Sequence, residues 1–88
     1  MQDDPEALMA LTLARALKRE TTAAARAETS LVSITCDLVN RPDVDEMQTA
    51  AVAITRATKS LVFAQADLTG RDGRALMTAS AVYRILAG

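Results

Sequence analysis

Beyond Thr29 the apolar residues of this chain recur at every second position, in four successive runs. That period belongs to strands buried on one face, so the chain is confined to an antiparallel sheet preceded by one segment of another kind. The runs are TSLVSITCDLVN from Thr29, QTAAVAITRAT from Gln48, KSLVFAQADLT from Lys59 and GRALMTASAVYRIL from Gly73. In the first, Val32, Ile34, Cys36 and Leu38 fall on one face, with Leu31, Ser33, Thr35 and Asp37 on the other. The inward sets of the others are Ala50, Val52 and Ile54, then Val62, Ala64, Ala66 and Leu68, then Ala75, Met77, Ala79, Ala81, Tyr83 and Ile85. Arg41-Pro42 closes the first run, because proline has no N–H to donate to a ladder. Short links at 57–60 and 69–73, the second a polar turn on Gly70, Asp72 and Gly73, make the last three strands a meander.

The segment before Thr29 reads as a helix. Asp3 and Asp4 supply acidic caps, Pro5 suits the first turn, and Asp3 with Glu6 has capping-box spacing. EALMALTLARALKR is rich in strong helix formers, so a helix is expected over about 5–19, with Lys18 and Arg19 in its last turn against the negative end of the dipole. ETTAAARAE (20–28) is compatible with a helical tail or with a loop. Leu8, Met9, Ala10, Leu11, Leu13, Ala14 and Leu17 make the helix apolar around most of its circumference, as expected of a helix wrapped by other structure. The expected fold is therefore α+β: a central helix wrapped by a curved antiparallel sheet, with strands at about 29–40, 48–58, 60–69 and 73–86. Residues 1–88 are expected to form a single domain.

Eighty-eight residues bury only roughly 60–65% of their unfolded surface. The apolar half of this composition contains one Phe and one Tyr, the rest being small or aliphatic. A small core and two open sheet edges together predict self-association. The net charge of −1, without a basic stripe or aromatic platforms, argues against nucleic-acid binding. Apolar runs fall well short of the roughly 18–20 residues of a membrane span, and the acidic start does not resemble a signal peptide. One cysteine, Cys36, cannot form an internal disulfide, and a cytoplasmic location is expected. The absence of histidine excludes Ser–His and Cys–His catalysis and most zinc sites. Neither a metal nor a cofactor is expected.

The order of these elements resembles a known family. Arg41-Pro42, AVAITRATKSLVFAQADL (51–68) and DGRALMTASAVYRIL (72–86) together resemble hotdog-fold thioesterases, in particular the PaaI-like branch of acyl-CoA thioesterases. The likeness runs from about residue 6 to residue 86. It implies a homodimer or higher homo-oligomer whose sheets join, with an acyl-CoA ligand bound between subunits. It also implies a helix N-terminus facing the thioester carbonyl and a helix carboxylate acting as base or nucleophile. This sequence departs from the pattern in three places. It starts at the helix, without the strand and loop that usually precede it. It places Leu13 or Thr12 where the acid belongs. It has Thr58 beside Lys59 where glycine is common.

Two sets of residues are the candidate site. Glu6 lies in the first helical turn, where it could serve as a displaced general base, although with Asp3 and Asp4 it equally suits capping. Arg56, Lys59 and Arg74, with Arg71, surround the sheet connections, and the first three are expected to hold the CoA phosphates, the alternative being ordinary surface charge. Thr35, Asp37 and Asn40 suit interfacial hydrogen bonds, and Cys36 a small core position. The sequence therefore supports an acyl-CoA thioesterase-like protein, with hydrolysis left open by the empty acid position. The alternatives are a non-catalytic acyl-CoA-binding or regulatory hotdog protein and a purely structural dimerisation module.

Overall fold

A computed structural model describes residues 4–43 and 45–86; the capping role expected of Asp3 lies outside them. Among these residues the chain forms α1 (Pro5–Ala25), β1 (Thr29–Leu38), β2 (Thr49–Ala57), β3 (Leu61–Thr69), a single 3-10 turn (Arg71–Gly73) and β4 (Ala75–Ile85). The sheet is fully antiparallel in the order β1-β4-β3-β2, so β2-β3-β4 is the expected meander and β1 and β2 are its open edges.

Helix α1 begins where expected: Asp4 is the N-cap and accepts the Glu6 N–H at 2.9 Å, with Pro5 in the first turn. It ends six residues later than the expected boundary, at Ala25 and not at 19, so the ambiguous 20–28 segment is largely helical tail. The reason is tertiary. Thr21 is fully buried, and its hydroxyl donates to the Leu17 carbonyl at 2.8 Å. Thr22 and Thr29 hydroxyls meet at 2.8 Å, and the Lys18 ammonium donates to the Thr29 carbonyl. Lys18 and Arg19 are therefore not in the last turn, which holds no basic residue. Arg26 ends the helix in the left-handed region, a position more often given to glycine.

Met9, Leu13 and Leu17 form one core cluster with Ala64, Ala66, Leu68, Met77, Ala79, Ala81 and Tyr83, on the inward face of the two central strands, and Ala16 and Val62 are buried as well. Small alanines there let the helix lie close to the sheet. The sheet covers one side of α1 only. Leu8 and Leu11, read as part of an enclosed circumference, are 47% and 43% exposed.

Bulges account for the differences in facing. Leu31 pairs with Tyr83 and Ser33 with Val82, so Val32 is the extra residue and is exposed, although its spacing put it with the core. Beyond the bulge the expected phase holds, with Ile34 and Cys36 against the core. A register shift between Leu68 and Thr69 likewise turns Leu76 fully inward and leaves Ala75 exposed. At the β2–β3 link, Thr58 replaces the expected glycine by chemistry: its hydroxyl accepts the Leu61 N–H at 3.0 Å and closes the turn.

Candidate functional site at the helix N-terminus

The start of α1, the 39–48 connection and the β3–β4 turn meet at one end of the sheet. A cleft of about 360 Å³ opens there between Asp4, Pro5, Glu6, Arg41 and Pro42. Asp4 is occupied by its cap bond. Glu6 is half-buried, with its carboxylate 3.2 Å from Arg41 Nε, whose side chain is largely in solvent. A helix N-terminus favours an anion or a polarised carbonyl oxygen through its dipole and its free N–H groups. Here Pro5 has no N–H and the Glu6 N–H is taken by Asp4, so the dipole and the Arg41 guanidinium are what this cleft offers.

The floor of that end is built on Glu46, which in the sequence is one acid of a polar link. Its side chain is fully buried. It accepts the N–H of Asp43 at 2.8 Å and of Arg71 at 2.6 Å, and the Arg74 guanidinium at 2.5 Å. Those two backbone N–H groups, then the Arg74 charge, hold its carboxyl below the usual carboxylate range against the opposing effect of burial. Arg74 also lies 3.8 Å from Asp43 and donates to the Arg41 carbonyl at 3.3 Å, carrying the anchor to the loop beside Glu6. Nothing in the sequence distinguishes Glu46 from Asp43 and Asp45. The partial signal is Gly70, whose φ is ordinary but whose Cβ would overlap the Glu46 carboxylate and lie 3.1 Å from Leu76 Cδ1. Gly70→Ala should therefore cost about 1–3 kcal/mol, read as a lowered Tm at neutral pH.

The structure does not bring the four expected basic residues together. Arg71 and Arg74 lie at the β3–β4 turn, on the same end as Glu6. Arg56 and Lys59 lie at the β2–β3 end, a full strand of nine residues away, or roughly 27 Å. Both are exposed. Arg74 is committed to Glu46. Asn40 donates to the Ala75 carbonyl at 2.8 Å and so staples the end of β1 to β4. Burial, and then the Asp37 charge, raise the Cys36 thiol above its ordinary value, the opposite of what a nucleophile needs. Among the described residues no cluster of three or more His, Cys, Asp or Glu is placed to hold a metal, and no helix is long and apolar enough to cross a membrane.

The sequence matches no family model and no curated protein. The fold matches solved structures. A Bacillus halodurans protein, BH2602, solved with CoA, superposes with a TM-score of 0.82 over 96% of this chain and 60% of its own, at 12% identity. This is the hotdog fold. A hypothetical thioesterase from Streptococcus pneumoniae gives 0.78 over 89% of this chain and 64% of its own, at 12% identity. Mouse thioesterase superfamily member 2 gives 0.70 over 85% and 58%, at 20% identity. The chain thus shares the fold of thioesterase-superfamily proteins while spanning less than two thirds of their length.

Proposed function

We propose that this protein binds CoA thioesters at an interface between two copies, with the cleft at the start of α1 receiving the thioester. The observation that carries the reading is the fold shared over 96% of the chain with a protein solved with CoA. Self-association is supported by the apolar residues left exposed along and beyond the open edge strand β1: Leu31, Val32, Leu38 and Val39. Arg56 and Lys59, exposed and in no ion pair among the described residues, are the proposed phosphate ligands. They act at a distance from Glu6 that an extended ligand, or the second copy, must bridge. Arg74, expected beside them, contributes through its hold on Glu46. A cytoplasmic location goes with this reading.

Hydrolysis is assigned to Glu6 as general base. One observation favours binding without turnover: α1 has no acid between Ala7 and Arg19, and Glu6 is held by Arg41. A panel of short, medium, aromatic and long acyl-CoA esters tests both readings, with CoA release followed by chromatography and Tm recorded alongside. A bound ester at 100 times its Kd stabilises the protein by about 2.7 kcal/mol. Turnover that disappears in Glu6→Gln supports catalysis. A Tm rise without turnover, lost when Arg56 and Lys59 become alanine, supports binding alone. No Tm change with any ester refutes the proposal.

A further inference from the structure

A second cleft, of about 460 Å³, runs between the side of α1 and the start of β2. Its helix wall is Thr12, Arg15, Ala16 and Arg19, a single stripe at i, i+3, i+4 and i+7, and Gln48, Thr49 and Ala50 form the facing wall. Ala16 is buried and Ala50 half-buried, so the floor is made of small side chains. Among the described residues, the only charged groups lining the cleft are the two guanidiniums. Nothing inside the fold uses them fully. Arg15 makes no ion pair among the described residues. Arg19 meets the Glu20 carboxylate through Nε at 3.2 Å, with its side chain 70% exposed, which leaves its two terminal nitrogens facing solvent. Both arginines precede the last turn of α1, which ends at Ala25, so the helix dipole does not account for them either. Lys18, between them in sequence, is engaged by the Thr29 carbonyl. Two like charges one turn apart repel each other, and an anion held between them removes that repulsion.

We propose that this cleft binds the diphosphate group of a small molecule, with Arg15 and Arg19 each holding one of the two linked phosphates. Side chains four residues apart on a helix start about 5–6 Å from each other, a spacing that two adjacent phosphates can bridge. A guanidinium presents its N–H donors as a planar fork that matches phosphate oxygens, so arginine recognises phosphate by shape as well as by charge. The Gln48 amide and the Thr49 hydroxyl supply neutral donors from the facing wall. The Thr12 hydroxyl already donates to the Leu8 carbonyl at 3.0 Å, so it shapes the wall and takes no phosphate. The cleft volume falls in the range of about 300–1,000 Å³ typical of small-molecule sites, which leaves room for an organic group carried by the diphosphate. The site shares no lining residue with the cleft at the start of α1 and uses neither Arg56 nor Lys59. It therefore does not rest on the thioester reading.

The test is isothermal titration calorimetry of the full chain with inorganic pyrophosphate, ADP and CoA, at low salt because exposed charges are screened at high salt. Pyrophosphate is expected to bind. The double variant Arg15→Ala, Arg19→Ala is expected to weaken it by roughly tenfold or more, through the loss of two charge-assisted contacts. Arg84→Ala, which removes an exposed arginine on β4, should leave the affinity unchanged. Circular dichroism of the double variant should match the wild type, because both side chains are exposed. The other two ligands separate the sources of the diphosphate. Tighter binding of CoA than of ADP, lost in the double variant, assigns the site to the diphosphate of a CoA-type molecule. Binding of ADP without binding of CoA assigns it to a free nucleotide. A lack of pyrophosphate binding overturns the proposal, as does an affinity that survives the double variant or falls as far in Arg84→Ala.

Discussion

Leu13→Ala will lower the unfolding free energy by about 2–5 kcal/mol. Leu13 has no solvent exposure and sits midway along the buried stripe of α1. The strand side of its cluster includes four alanines, Ala64, Ala66, Ala79 and Ala81, which have no side-chain freedom to move into the space it would leave. Collapse around the gap is therefore limited, and the cost should fall in the upper part of that range. A domain of 88 residues has about 4–13 kcal/mol of total stability at about 0.05–0.15 kcal/mol per residue, so one leucine carries a large share. Each kcal/mol shifts Tm by about 4–8 °C at this size, and thermal denaturation should show a drop of at least about 10 °C. Leu11→Ala, on the exposed side of the same helix, is the control and should change Tm little in the isolated copy. A drop as large for Leu11 as for Leu13 would mean that a second copy covers the outer side of α1.

Glu46→Gln will lower Tm by several degrees at pH 7 and by progressively less as the pH falls. In the folded chain the Asp43 and Arg71 N–H groups and Arg74 hold this carboxyl below its ordinary value. A group with a depressed folded pKa contributes stability that is fully present above its unfolded value of about 4.3. That contribution is lost as pH falls through the lower folded value, where the folded chain must also take up the proton. Below that point wild type and variant are both neutral at this position, and their Tm values should converge. Thermal melts from pH 7 to pH 3 give the comparison. A Tm difference that stays constant across that range would show that the anchor works through shape and not through charge. Because the same anchor carries Arg74 and the Arg41 carbonyl, loss of Glu46 should also loosen the loop beside Glu6.

The likeness to solved structures rests on architecture at 12–20% identity, and this agrees with where the information lies in the sequence. The period-two runs of β3 and β4 placed Val62, Ala64, Ala66, Leu68, Met77, Ala79, Ala81 and Tyr83 inward, and all are buried. The Asp4-Pro5 cap located the start of α1 from local chemistry. Periodicity misplaced Val32 and Ala75, because a bulge shifts the phase of a strand and leaves no mark in an alternating pattern. It also stopped α1 short, since the last turns are held by Thr21, Thr22 and Lys18, two of which reach a residue that only the fold brings near.

By itself the sequence determined the element types, their order, the meander and the inward residues of the central strands, all of which follow from periodicity and caps acting within a few residues. Only the tertiary structure decided which charges share an end of the molecule. It set Glu6 beside Arg41, buried Glu46 under Arg74, and separated Arg56 and Lys59 from both by the length of β3. Those relations depend on which strand end meets which helix end. That is a matter of packing between segments dozens of residues apart, and charge alone does not write it into any local pattern.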